Sequence, residues 1–310
     1  MEFKHKPVLL DECIEALNIK QDGIYVDGTL GGGGHSFHIV EKLTKNGKLI
    51  GIDRDKEAIA AAQIKLQDFS NKILYHGNHD DIKKILAELG IDKVDGILLD
   101  LGVSSYQIDE ADRGFSYMLD SKLDMRMNRD DKLSAYEVVN KYSEASLSDI
   151  FFDFGEERYS KRVAAKICEI RTTKPIETTL ELAAIVRSCI PYKATQDKGH
   201  PAKRVFQAIR IEVNSELDKL KEAVIDSVNC LNTSGRLAVI TFHSLEDRIV
   251  KHAFEELEGK CKCPSGFPIC ICEYKSYGKN ITKKPIISNE LELEENSRAK
   301  SAKLRIFEKQ

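Results

Sequence analysis

Between Gly23 and Asp100, short β-branched runs alternate with stretches whose apolar residues recur at helical spacing. Ile24 to Val26 predicts a strand, and His35 to Leu43 a helix carrying Ile39, Val40 and Leu43 on one face. Leu49 to Ile52 predicts a second strand; Ala58, Ile59, Ala62, Leu66 and Phe69 line the next helix. Ile73 to Tyr75 is the third strand, Ile82, Ile85, Leu86 and Leu89 mark a helix closed by Gly90, and Ile97 to Leu99 is a fourth strand ending in Asp100. Strand and helix in strict alternation predict a parallel sheet with both faces covered.

Beyond Tyr106 the alternation stops. A polar, irregular stretch gives way to helices with no strand between them: Leu147 to Phe154, Val163 to Ile170, and Thr178 to Cys189 with Thr178 and Glu181 as a capping box. One longer helix is expected from Pro201, carrying Val205, Ile209, Val213, Leu220 and Val224. "RLAVITF" then resumes the strand pattern, a helix follows over Leu245 to Leu257, and "PIIS" and "LRIF" read as strands. The expected division is an α/β domain over 1–105 and 204–310, interrupted by a helical insertion at 106–203.

Composition narrows the class. With 42% apolar and 31% charged residues and no apolar run near the roughly 18 residues of a membrane span, the 310-residue chain reads as a soluble globular protein. The start carries acids too early for a signal peptide, so a cytoplasmic location and no membrane partner are expected. A net charge of −3 gives no global attraction to nucleic acid, so such a partner would need a local basic surface. Three segments offer one: Arg158, Lys161, Arg162 and Lys166; Lys198, His200, Lys203, Arg204 and Arg210; and Arg298, Lys300, Lys303 and Arg305.

"VDGTLGGGGHS" places four consecutive glycines, Gly31 to Gly34, between the first strand and its helix, where an open parallel sheet binds nucleotides. Bare backbone lets N–H groups approach a ligand. A dinucleotide fingerprint would need glycine where Ser36 stands, and a Walker loop would need lysine where His35 stands, so both are excluded. Asp53 ends the second strand, where a carboxylate accepts the ribose hydroxyls of an adenosine; Asp55 is the alternative cap for the following helix. Asp27 and Asp100 end the first and fourth strands, so acids line the carboxyl edge of the sheet. That edge suits a phosphate-free, positively charged adenosine, S-adenosylmethionine, better than NAD; helix capping and loop hydrogen bonding are the plainer roles for Asp27 and Asp100.

With these residues placed, the chain resembles the MraW family of bacterial 16S rRNA cytosine-N4 methyltransferases. The likeness is carried by "HKPVLLDE", "DGTLGGGGHS", "IDRD", "DGILLDLGVSS", "RGFS", "LDMRM", "GEERYSKRVA", "HPAKRVFQAIRIEVN", "FHSLEDRIVK" and "SRAKSAKLR", in order from end to end. It implies a class I methyltransferase fold, a Rossmann-like sheet with an inserted all-helical subdomain for substrate recognition. It also implies S-adenosylmethionine as donor, held by Gly33, Gly34, His35, Asp53, His79, Asp100 and Gln107, with Gly31 and Gly32 left to the turn. At His79 an imidazole stands where the family commonly shows an aromatic ring near the adenine. The implied partner is 16S rRNA in the small ribosomal subunit; dimerisation stays open.

Cytosine N4 is a poor nucleophile because its lone pair is delocalised, so transfer needs in-line approach and an acceptor for the N4 proton. Asp100 is the first suspect for orienting the amine or the donor, the resemblance favouring the donor, and the general base stays unassigned. His243 is a second suspect, although Ser244 with Asp247 resembles a capping box and His243 then simply packs. Cys261, Cys263, Cys270 and Cys272 could close a tetrahedral zinc site; four reduced thiols in a loop are the alternative. An NAD-dependent oxidoreductase and a non-catalytic ribosome-binding factor are the competing functions.

Overall fold

The computed structural model describes residues 7–191, 199–259 and 275–310. The chain parts into two compact units, Met1–Gly102 with Leu217–Gln310, and Val103–Glu216.

The first unit is built on a sheet of β1 (Ile24–Asp27), β2 (Lys48–Asp53), β3 (Lys72–His76), β4 (Val94–Asp100), β5 (Leu231–Thr241), β6 (Gly278–Asn280) and β7 (Lys303–Lys309), in the order β3-β2-β1-β4-β5-β7-β6. The first five run parallel, while β7 runs antiparallel to both β5 and β6. The order reverses at β1, and ligands of open parallel sheets bind at the carboxyl edge beside such a point. This is the Rossmann-like class I arrangement.

Side chains alternate across the sheet with period two. Ile97, Leu99, Leu237 and Val239 enter one core with helices over Ile82–Glu88, Leu220–Cys230 and Ser244–Glu258; Leu98, Ala238 and Ile240 enter the other with Cys13, Leu17, Ile39 and Ala62. Both faces are covered, so each strand reads as a continuous apolar run, and each fully buried Leu or Ile contributes about 1.5–3 kcal/mol.

The helices are α1 (Leu10–Leu17), α2 (Gly34–Val40), α3 (Lys56–Lys65), α4 (Ile82–Glu88), α5 (Ser105–Asp109), α6 (Ala135–Lys141), α7 (Glu144–Asp153), α8 (Ser160–Arg171), α9 (Thr179–Cys189), α10 (Lys203–Asn214), α11 (Leu220–Cys230), α12 (Ser244–Glu258) and α13 (Glu290–Glu295). The single helix expected from Pro201 to Val224 is two: α10 stops at Ser215, which takes a left-handed conformation (φ 49°), and α11 starts anew. "PIIS" forms only an isolated bridge, Ile286 with Leu304, rather than a strand.

In the second unit α6 to α10 pack around Leu147, Phe151, Val163, Ile167, Val186, Val205 and Ile209. The contribution of α10 to this core carries the compact unit to Glu216, past the expected boundary at 203. Arg113, buried, donates through Nη2 to the carbonyls of Arg126 and Met127, while Asn214 accepts from Met127 N–H and donates to the Met125 carbonyl. "RGFS" and "LDMRM" are thus knit together by side-chain hydrogen bonds to the backbone, and Met125 N–H also donates to the Arg113 carbonyl. Among the described residues no helix is long and apolar enough to cross a membrane.

Candidate functional site

At the carboxyl edge of β1, β2 and β4 the glycine turn and the acids come together. Gly33 caps α2 with φ 76°, a conformation costly for any side chain, and its N–H donates to the Leu30 carbonyl. A Cβ on Gly34 would lie 2.7 Å from Cγ of Pro7, so the segment preceding α1 seats directly on the start of α2.

Asp53 holds the turn. Its Oδ2 accepts from Gly31 N–H at 2.7 Å and its Oδ1 from Asp55 N–H at 2.8 Å. Asp55 is the cap of α3, accepting from Glu57 N–H, so Asp53 is left to the loop. Each carboxylate oxygen keeps a second lone pair for another donor. Burial raises the Asp53 carboxyl above its ordinary value.

Asp27 is fully buried and accepts from Ser36 Oγ at 2.7 Å and Thr29 N–H at 3.2 Å. Loop hydrogen bonding is therefore its role in the fold. Burial pushes its pKa up to about 6 against the opposing pull of those bonds.

Asp100 differs. Its N–H donates to Thr29 Oγ1 at 2.6 Å, but its Oδ1 is buried with no hydrogen-bond partner. Burial, reinforced by Asp27 and Glu246, pushes its pKa up to about 8, with solvent reaching 26% of the side chain and tempering the shift.

His35, buried, directs Nε2 at the Val8 carbonyl at 3.0 Å and Nδ1 at Asp100 Oδ2, 3.7 Å away. Burial lowers its pKa to about 4, so the imidazole is neutral at pH 7. His79 opens a 3-10 turn after β3, with its Nε2 3.5 Å from Asp80 Oδ1; burial lowers its pKa. A Cβ on Gly28 would sit 3.2 Å from the His79 Cβ, which places the imidazole beside the end of β1. Gln107 belongs to the helical unit, where it completes the capping box of α5 with Ser104.

His243 corrects an expectation. The capping box of α12 is His243 with Glu246, one residue earlier than Ser244 with Asp247: His243 Nδ1 accepts from Glu246 N–H, and Glu246 Oε2 accepts from the N–H groups of Phe242 and His243. Nε2, buried, lies 3.0 Å from Glu246 Oε1. Asp247 instead pairs with Lys303 at 3.0 Å and Arg305 at 2.6 Å, and Arg305 is buried. Those two cations therefore serve the fold, against the expectation that they offer a basic surface. The four clustered cysteines, Cys261 to Cys272, lie outside the described residues, and so does Lys198.

One tether has no counterpart in the sequence pattern. Leu9, buried and left-handed (φ 51°), caps α1, and its N–H donates to Oε1 of the buried Glu292 at 2.6 Å. The spacing of Leu10, Cys13 and Leu17 signals α1, but no local signal points to its partner on α13.

Compared with known proteins, residues 2–310 match the profile of the MraW methylase family. Ribosomal RNA small subunit methyltransferase H of Clostridium botulinum strain Loch Maree is 61% identical over 309 residues, covering 100% of both chains, and the strain Kyoto protein of that name is equally similar. A solved rRNA methylase from Streptococcus thermophilus aligns with 97% of this chain and 93% of its own at 11% identity, with a TM-score of 0.42.

Proposed function

The chain belongs to the MraW methylase family, and from that premise we propose that it transfers a methyl group from S-adenosylmethionine to N4 of one cytosine in 16S rRNA. Methylation of small-subunit ribosomal RNA comes to it through relatives of 61% identity and full length. The carrying observation is the carboxyl edge itself: Asp27, Asp53 and Asp100 around a turn of bare glycine backbone.

The residues fit the donor. Asp53 offers free lone pairs to ribose hydroxyls, Asp100 offers an unpartnered buried acceptor to a cationic group, and Gly33 and Gly34 are proposed to meet the donor through bare backbone, the space a side chain would need there being taken by Ala62 and Pro7. His79 and Gln107 complete the proposed contacts. When bound, the donor supplies a methyl group activated by the sulfonium.

The helical unit is the proposed RNA-recognition domain. Arg158, Lys161, Arg162 and Lys203 are exposed and make no ion pair among the described residues. Arg204 donates to the Glu156 carbonyl, which brings the start of α10 to the loop before α8. Lys166 and Arg210 are engaged by Glu169 and Glu216. Free cations on adjoining helix starts suit the phosphates that flank a base drawn out of its stack.

The test is incubation with methyl-labelled donor and small ribosomal subunits from a strain lacking the gene, followed by mapping of the label. Label on N4 of a single cytosine is expected. RNA that stays unlabelled would sink the activity, and label on another atom would sink the N4 assignment.

A further inference from the structure

The Val8 carbonyl can only accept, so Nε2 of His35 must carry the ring proton and Nδ1 presents a lone pair to Asp100. An ionised Asp100 would then turn Oδ2 toward that lone pair, and its buried Oδ1 would have no donor at all. The surroundings deepen the conflict. Asp27 acts on Asp100 from β1, Glu246 from α12, His35 from α2 and the Cys13 thiol from α1, and the two acids push its carboxyl toward the protonated form. An unpaired carboxylate held this way is disfavoured, with solvent at 26% of the side chain moderating the penalty. A carboxylic acid eases the arrangement, because it removes the negative charge from the buried Oδ1 and gives Oδ2 an O–H to direct toward Nδ1, 3.7 Å away.

We propose that Asp100 carries a proton in the ligand-free chain, shares it with His35 Nδ1, and releases it to solvent when the cationic methyl donor enters the site. The proposal rests on the donor reading above and adds to it a coupled proton. One O–H bond of Asp100 breaks, the proton passes to buffer, and the carboxylate left behind is compensated by the positive charge of the ligand. His35 is a positioning residue here: bonded to the Val8 carbonyl, it holds the tautomer that keeps Asp100 protonated. The raised Asp100 pKa and the lowered His35 pKa agree with this assignment of protons. Donor affinity should therefore fall with pH below the free-state value of Asp100, approaching about tenfold per pH unit for one linked proton.

The experiment is calorimetric titration of the full chain with S-adenosylmethionine at pH 7 in phosphate and in Tris, whose ionisation enthalpies differ. Release of close to one proton is expected, with release near zero in Asp100→Asn, which binds more weakly. Infrared difference spectra of the unaltered protein give a readout independent of any variant: the carbonyl stretch of a protonated carboxyl should disappear when the donor binds. Binding with neither proton release nor loss of that band overturns the proposal and leaves the donor reading standing. Equal proton release by Asp100→Asn also overturns it. Failure of the donor to bind at all removes the donor reading, and this proposal with it.

Discussion

Gly31 N–H donates to Oδ2 of Asp53 at 2.7 Å, so the acid at the end of β2 sets the glycine turn before it meets any ligand. On the proposed reading its removal subtracts twice, once from the donor's hydrogen bonds and once from the shape of the turn. Asp53→Ala should weaken donor binding by about tenfold or more and cost the free chain about 1–2 kcal/mol, as a buried hydrogen-bond network does when one partner is removed. Calorimetry and chemical denaturation read the two effects separately, and unchanged donor affinity would refute the ribose assignment.

Gly32 and Gly34 should respond oppositely to the same methyl group. A Cβ on Gly32 meets nothing within 4 Å, whereas one on Gly34 lands 2.7 Å from Cγ of Pro7. Gly32→Ala should stay within about 0.5 kcal/mol of the parent. Gly34→Ala should cost about 1–3 kcal/mol through overpacking and pull the Val8 carbonyl from His35. Equal denaturation midpoints for the two variants would contradict the seating of Pro7.

The buried acids predict how stability follows pH. Asp27 and Asp100 have pKa values raised from 3.8 to about 6 and about 8. Between those limits the folded chain holds protons that the unfolded chain has released, so their contribution to stability is full below the ordinary carboxyl range and is lost as pH rises through 6 and then 8. Asp100→Asn removes one such group. The donor-free variant should therefore gain in melting temperature over the parent as pH rises from 5 to 9; a gap that narrows over that range would count against a raised Asp100.

Lys161→Glu with Arg162→Glu reverses two exposed charges on α8, in the helical unit, whereas the acids of the carboxyl edge belong to the other unit. RNA affinity should fall, and the salt dependence of binding should flatten by about 0.7 for each single-strand phosphate that is no longer neutralised. Donor affinity should be unaltered. Filter binding across a salt series decides it, and an unchanged slope would move the RNA surface elsewhere.

Much of this architecture is legible because buried parallel strands announce themselves. The apolar runs at Ile24, Leu49, Ile73 and Ile97 need no partner to be read, and each ends near an acid or the turn that follows it. The break between α10 and α11 is hidden because apolar spacing continues smoothly past Ser215, whose left-handed backbone has no local signal. β6 reads "GKN" and is a strand only because β7 lies beside it. The site follows the same rule. Asp53 and Asp100 can be placed by their strand ends, but the bond from Gly31, the cap at His243 and the tautomer of His35 depend on residues brought together by the fold.

The bond from Leu9 to Glu292 spans nearly the whole chain. During synthesis the segment resting on the glycine turn emerges long before its buried anchor, 283 residues further on. A nascent chain can form β1 to β4 and the helical unit early, since domains fold as they leave the ribosome. It cannot fasten Leu9 until α13 has been made, and β7 completes its pairing with β5 later still. Chains truncated before residue 290 lack that anchor, so in them the segment on the glycine turn stays unfastened.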